Sequence, residues 1–410
     1  MKPLLLLVLL SSCSLLQRGT PLKVLHYNIK ELDSTKLAKG DHPQMLALTS
    51  FLKPEQEANI ISINELQFDR PQVPNRNYQS YGLNLEKLTN LLWPKENWST
   101  SFSQANTGNK ARKWKGQYLI PGQTHARKNA DPVNFGLFPG QYSTGLATTY
   151  EIIGKIVVTD LKWRDFNPGV KLNHFRDATG SRLPKDIALF DKNFTDTLIK
   201  VRGQVVHLIT LHTVPAFHFG NAKSPNYQRN ADQLRFLQWY LTGRTDFKVE
   251  LPARFDHVRP LSPHDTFIAM GDWNTELDHP KNPGSKILRS FDATGRLFPS
   301  LGDIKADKEK VITNEGYGHN PKRLKMVLDY LYWSSDLEPK LLKVLRPPEE
   351  RLFLGCGEKT LITKDQDNPT RERVSYQQGR EKCQMTVSKS FVQAKKASDH
   401  FPLKAHFDFR

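Results

Sequence analysis

Short apolar runs ending in polar residues recur along this chain. Leu22 to Ile29 reads LKVLHYNI, a partly alternating run that predicts a strand reaching a polar end at Asn28. Asn59 to Leu66 reads NIISINEL, a β-branched run that delivers Glu65 ahead of Gln67-Phe68-Asp69. Ser143 to Val158 alternates and predicts further strand. Thr197 to Val201 and Val205 to Thr213 flank Arg202-Gly203-Gln204, which predicts a hairpin whose second arm ends at Leu211-His212-Thr213. Ala231, Leu234, Leu237 and Leu241 stand at helical spacing, so Tyr227 to Leu241 is expected to pack on a sheet. Thr266 to Met270 then predicts a buried strand that presents Gly271-Asp272-Trp273-Asn274. Lys325 to Trp333, KMVLDYLYW, predicts another with Asp329 in its middle. The chain closes on Ser398-Asp399-His400-Phe401-Pro402-Leu403 and an alternating strand through Phe409. No repeat of fixed period and no low-complexity tract interrupts this rhythm.

Three segments do not fit it. Lys2 precedes an apolar run, Leu4 to Leu10, too short to span a bilayer, so residues 1–12 read as a signal peptide. Leu10-Ser11-Ser12-Cys13 resembles the bacterial lipobox. The expectation is a lipid on Cys13, a linker over 13–22 and an exported, membrane-anchored chain at the periplasm or cell surface; an ordinary secretory signal is the alternative. Residues 94–135 are polar and aperiodic and include Lys110-Ala111-Arg112-Lys113-Trp114-Lys115. They form either a solvated loop or, with Trp114 and Tyr118, a surface that grips a phosphate backbone and stacks on bases. Residues 346–396 carry Pro347-Pro348 and the cysteines Cys356 and Cys383. In an exported protein that pair favours a disulfide stapling an insertion, over two separate buried thiols.

Charge adds a preference and not a site. With 59 Lys+Arg against 42 Asp+Glu the chain carries +17, a field that attracts nucleic acid or anionic lipid. No Gly-x-Ser-x-Gly elbow and no zinc-spaced Cys/His run is present, which argues against a serine nucleophile or thiolate-held metal.

Asn28, Glu65, His212, the Gly-Asp-x-Asn of Asp272 and Asn274, Asp329 and the Ser-Asp-His of Asp399 and His400 occur in an order that resembles the endonuclease/exonuclease/phosphatase superfamily, typified by deoxyribonuclease I. Phe138 to Tyr142 resembles a Phe-Pro-Gly-Gln-Tyr stretch of one bacterial branch, as does Arg229-Asn230, a candidate substrate-binding pair. Where that branch has Ser-Arg-Tyr-Pro, this chain has Thr148-Thr149-Tyr150-Glu151, which leaves the missing arginine's role open. The resemblance implies a four-layer α/β sandwich over residues 23–410: two packed, mostly antiparallel sheets flanked by helices, with the site at one end between them.

It also implies a divalent-metal-dependent phosphoesterase. Mg²⁺, or else Mn²⁺ or Ca²⁺, would take carboxylate oxygen from Glu65, with Asn28 and Asp399 completing the shell. His400 would be the general base, oriented by Asp329. Asp272 competes for that role, Asn274 would orient nucleophile or phosphate, and His212 would donate to a phosphate oxygen or the leaving group. A nuclease acting as a monomer is the first expectation. A phosphatase or sphingomyelinase-like lipid phosphodiesterase, motivated by Trp93, Trp98 and Trp114, is the second, and a non-catalytic binding lipoprotein on the same scaffold is the third.

Overall fold

β1 (Leu22–Leu32) is buried on both faces. Leu22 and Val24 join one apolar cluster, while Leu25, Tyr27 and Ile29 join another beneath the helices Pro43–Leu52 and Leu83–Leu92. A strand covered on both sides needs apolar residues in both registers, which is why LKVLHYNI alternates only in part. The computed structural model describes residues 22–55, 57–70, 80–316, 318–357 and 368–410. The expected signal peptide and Cys13 lie outside these residues.

One six-stranded sheet runs in the order β13 (Leu337–Val344), β17 (Leu403–Phe409), β1, β2 (Ile60–Leu66), β4 (Ser143–Thr148), β3 (Ser99–Ser103). The other runs β5 (Glu151–Val158), β6 (Phe194–Val201), β7 (Gln204–Leu211), β8 (Thr266–Asp272), β12 (Asp329–Trp333), β9 (Leu297–Phe298). Pairing is antiparallel except β1 with β2 and β7 with β8. Residues of both sheets share the main apolar cluster, and helices cover the outer faces, as in the expected sandwich. A hairpin of β10 (Asn314–Glu315) and β11 (Lys325–Met326) and a separate sheet of β14 (Leu352–Cys356), β16 (Glu381–Ser388) and β15 (Arg371–Gln378) complete the fold. No helix among the described residues is long and apolar enough to cross a membrane.

Along the facing strands the inward register changes character in one direction. On β1 it reads Leu22, Val24, His26, Asn28; on β2 Ile60, Ser62, Asn64; on β8 Ile268, Met270, Asp272; on β12 Trp333, Leu331, Asp329. One end of the interior is therefore apolar and the other polar, and the polar ends converge.

Several expectations need correction. Ser143 to Val158 is two strands in different sheets, because the chain crosses between sheets at Thr149-Tyr150. That crossing lies at the apolar end, where the N–H of Thr149, which replaces the family's arginine, donates to Asn59 O (3.0 Å), so this position does not lie at the polar end. Lys325 to Trp333 breaks at Val327-Leu328, and Asp329 opens β12 opposite Asp272. The expected disulfide between Cys356 and Cys383 is present, across paired positions of β14 and β16. The insertion ends before residue 396, because the helix Lys389–Ala397 packs on Pro43–Leu52 as part of the outer layer. Trp93 is buried, which removes it from any lipid-facing surface, while Trp98, edge-on to it at 6.0 Å, is half-buried.

The basic loop is built and not merely solvated. Asp131, buried, accepts from the backbone N–H groups of Lys110 (2.8 Å), Val133 (2.9 Å) and Asn134 (3.0 Å). Leu119, Ala126 and Phe138 form a small core with Phe68, which follows β2. Lys110, Arg112, Lys113, Trp114, Lys115, Arg127 and Lys128 are left exposed, with Trp114 against His125 at 4.8 Å.

Candidate active site

The polar ends bring two groups together. In the first, His400 Nδ1 donates to Asp329 Oδ2 (2.8 Å), and His26 Nε2 lies 3.3 Å from Asp329 Oδ1. His400 Nε2 lies 3.8 Å, and His212 Nε2 3.5 Å, from Asp272 Oδ2. All are buried. In the second, Glu65 Oε2 accepts from the Glu31 N–H (3.2 Å) and its carboxylate feels the charges of Asp399 and Glu31. Asn28 links the groups, since its Nδ2 donates to Glu65 Oε1 and to Asp272 Oδ2, each at 3.1 Å.

The backbone is bent to make this arrangement. Glu65 follows inward Asn64 and would point outward in a regular strand, but a bulge with φ of +69° returns its carboxylate to the site. Lys30 (+56°), Glu31 (+54°), Tyr142 (+71°) and Asn274 (+48°) share this left-handed conformation nearby, which costs a non-glycine residue about 1 kcal/mol or more each. Gly271 has a different reason to be glycine: a Cβ there would lie 1.8 Å from Leu211 O of β7.

Charge is unevenly compensated. Burial would raise Asp329, but the charges and hydrogen bonds of His400 and His26 more than offset it and hold this carboxylate below its ordinary range. Burial likewise opposes the charge on His400, yet Asp329 and Asp272 outweigh it and raise its affinity for the proton. His212 is held well below the usual imidazole range by burial and then by Lys192, His400 and His26. Burial, then the charge of Asp329, push Asp272 upward. Glu65 rises to about 7 through burial and then the charges of Asp399 and Glu31.

A divalent ion fits this donor set. Glu65 Oε1 and Oε2 receive hydrogen bonds only from Asn28 and from the Glu31 N–H among the described residues (3.1 and 3.2 Å), and two further carboxylates crowd it. Asp272, Asp329 and His400 also converge closely enough to hold an ion. Coordination there would break the 2.8 Å Asp329–His400 bond, so Glu65 and Asp399, with Asn28 beside them, fit a hard cation better.

Arg229 and Asn230 do not reach this site. Arg229 is buried and donates to Leu189 O (3.0 Å) and Ala188 O (2.8 Å). Asn230 Nδ2 donates to Thr213 Oγ1, Val214 O and Trp273 O, clamping the loops after β7 and β8. Asn274 is also a positioning residue: its N–H donates to Asp272 Oδ1 (2.9 Å) and its Nδ2 to Thr213 O (3.0 Å).

Four residues escaped the sequence reading. His26 and Asn64, whose Oδ1 accepts from the Asp272 N–H (3.0 Å), lie on the inward register two residues before Asn28 and four after Ile60, so strand periodicity would have found them. Glu31, which accepts from Gln141 Nε2 and Tyr142 Oη at 3.2 Å each, is reached only through the β1 bulge and carries no sequence signal. Neither does Lys192, buried against Asp191 (2.9 Å) and Thr213 O (3.1 Å).

The model of the endonuclease/exonuclease/phosphatase family matches residues 25–400. No curated protein matches the chain. Among solved structures it is similar to an endonuclease/exonuclease/phosphatase family protein from Leptotrichia buccalis C-1013-b, at 13% identity over 95% of this chain and 100% of that one, with a TM-score of 0.44. It is also similar to a mannosyl-6-phosphatase from Bacteroides thetaiotaomicron VPI-5482 (12% identity, 95% and 100% covered, TM-score 0.42). The human Nocturnin catalytic domain with bound sulfate anion is a third (12%, 95% and 94%, 0.41).

Proposed function

Since this chain belongs to the endonuclease/exonuclease/phosphatase family, we propose that it hydrolyses phosphodiester bonds with the help of a divalent cation and that its substrate is nucleic acid. The observation that carries the hydrolytic reading is the Asp329–His400 pair facing Asp272, with the acidic group of Glu65 and Asp399 alongside. Glu65 and Asp399 would hold the cation, which would supply charge neutralisation for the phosphate. The chain's own residues divide the proton work. His400, flanked by two carboxylates, keeps its proton and donates Nε2–H to a phosphate oxygen. Asp272, whose burial and carboxylate neighbour make it a better proton acceptor than an ordinary aspartate, takes the proton from the attacking water. This assignment inverts the expectation of His400 as base. His212, held neutral, hydrogen-bonds phosphate or leaving group.

The basic shelf supports a polynucleotide substrate. It ends at Gln141 and Tyr142, both bonded to Glu31 at the site, so the exposed Lys113, Lys115, Arg127 and Trp114 belong to a loop anchored at the reacting end of the sandwich. The test is hydrolysis of plasmid DNA, RNA, inositol phosphates and sphingomyelin in parallel, with Mg²⁺, Mn²⁺ or EDTA, beside His400→Ala. Cleavage of nucleic acid that needs the cation and is lost in the variant is expected; activity confined to small or lipid esters would remove the nuclease reading. The same proposal puts the enzyme at the envelope through Cys13, and Cys13→Ser should move it from the membrane to the soluble fraction.

A further inference from the structure

His26 and Ser62 form the last layer of the interior before the reacting residues. They are direct partners in the parallel pairing of β1 with β2, with Val24 and Ile60 one step behind them and Asn28 and Asn64 one step ahead. Both side chains are fully buried. Register alone therefore brings Ser62 Oγ to His26 Nδ1, at 3.1 Å, and the other ring nitrogen, Nε2, meets Asp329 Oδ1 of the facing sheet at 3.3 Å.

Asp329 needs such a partner. Its backbone is fixed, because it pairs with Asp272 and its N–H donates to Thr313 Oγ1 (3.0 Å). Its carboxylate is not fixed by the backbone, since the terminal torsion of an aspartate is broad. One oxygen, Oδ2, accepts from His400 Nδ1 at 2.8 Å. With Oδ1 left bare, a buried carboxylate oxygen would be unsatisfied and the group free to turn away from His400. His400 has a second carboxylate within reach, Asp272, 3.8 Å from its Nε2. A ring that tips toward it no longer offers that nitrogen to a phosphate.

Ser62, His26 and Asp329 have the composition of a nucleophilic triad, yet Ser62 is closed to solvent, so no substrate reaches its oxygen. The contacts serve geometry instead. An ionised carboxylate only accepts, so His26 Nε2 carries a hydrogen toward Asp329. The Ser62 hydroxyl, which both donates and accepts, supports Nδ1 in either of its states.

We propose that His26, backed by Ser62, is a positioning residue: it holds Oδ1 of Asp329 so that Oδ2 stays on His400 Nδ1 and His400 Nε2 stays aimed at the phosphate. This role rests on the phosphodiester reading above and adds two residues to those that set its rate.

Two measurements test it. The first needs neither metal nor turnover: the Nδ1–H proton of His400 is followed by NMR in full-length protein carrying isotope-labelled histidine, in EDTA, and assigned by its loss in His400→Ala. In the parent it should resonate downfield of the amides, sheltered from exchange. In His26→Phe, which fills the space and removes the donor, it should move upfield or vanish by exchange with water, and in His26→Gln, which restores an N–H, it should return. The second is the split between kcat and KM on the nucleic acid that the parent cleaves with Mg²⁺. His26→Phe should lower kcat by about 10- to 100-fold, the scale of one hydrogen bond to a charged group, with KM unchanged. His26→Gln should recover most of that loss, and Ser62→Ala should fall between the parent and His26→Phe. A proton unmoved in His26→Phe, a kcat there equal to the parent's, or a loss that a normally melting His26→Gln leaves unrepaired overturns the proposal. Should neither His26 variant melt as the parent does, Ser62→Ala carries both readouts, and a proton and kcat equal to the parent's overturn it. If the parent hydrolyses no nucleic acid, the substrate reading falls while the proton signal still decides whether His26 holds Asp329 on His400.

Discussion

His400 illustrates how a residue's neighbours decide its chemistry. An imidazole between Asp329 and Asp272 is a poor base and a good donor, so His400→Ala and Asp329→Asn should lower kcat strongly, by about 10³-fold for the loss of one preorganised donor, with smaller changes in KM. Asp272→Asn should be at least as damaging, and its acidic limb should disappear from the pH–rate profile. A comparable rise in KM with kcat preserved would mean these groups only bind. Away from the site, His207 offers a cleaner titration. Burial opposes its charge, but the hydrogen bond (2.6 Å) and charge of Asp196 outweigh it and raise its pKa above 6.5. Its stabilising contribution is therefore complete below about pH 6.5 and declines as pH rises through the higher folded value. Thermal melts across pH 5–9 should show that decline in the parent and its absence in His207→Gln.

At the scale of elements, the hairpin β10–β11 matters more than its length suggests. The Glu315 N–H donates to Asp399 O (2.9 Å), Asn314 bridges His400, and the Glu315 carboxylate is clamped by Arg323 (2.8 Å) and Arg346 (2.7 Å). Arg323 also reaches Glu349, whose carbonyl accepts from Ser388 at the end of the stapled sheet. Removing one partner from such a buried network leaves charges uncompensated, so Glu315→Gln should destabilise the fold by about 3 kcal/mol, read as a shifted denaturant midpoint. Little of this was visible beforehand. The polar strand ends at Asn28, Glu65 and Asp272 were legible, because a polar residue closing a short apolar run is a local property, whereas Asp399, between the last helix and β17, was reached through the Ser-Asp-His resemblance. The clamp is not, because Glu315, Arg323, Arg346 and Glu349 are unremarkable charges until the fold buries them. Arg229 misled for the complementary reason: a cation in a family motif reads as a phosphate ligand, yet here it satisfies backbone carbonyls.

For the molecule as a whole, two packed, mostly antiparallel sheets followed from the family resemblance, and the apolar runs were consistent with it; the order of the strands did not. Where the chain crosses between sheets did not follow, since one alternating stretch, Ser143 to Val158, serves both. The net charge of +17 becomes a measurable statement if nucleic acid is the ligand. Binding should weaken steeply with salt, with a slope in a log–log plot near −0.9 for each phosphate neutralised on duplex DNA. Replacing Lys113, Lys115 and Arg127 together by alanine should flatten that slope by about two to three, whereas an unchanged slope would show that the shelf does not touch the backbone.

The direction in which the interior turns from apolar to polar has a consequence for tolerance to change. Cohesion is concentrated where Leu22, Ile60, Ile268 and Trp333 meet, while the opposite rim holds like-charged carboxylates near one another. Without a bound cation, Glu65 takes up its proton more readily folded than unfolded, so the empty enzyme should lose stability as pH rises from about 4.5 to 7, by roughly 3 kcal/mol at most. Glu65→Gln should then yield a protein that is inert yet melts higher than its parent at pH 8 in EDTA. Selection for heat resistance alone would erode this end of the molecule first, and the catalyst persists only because something other than durability is being selected.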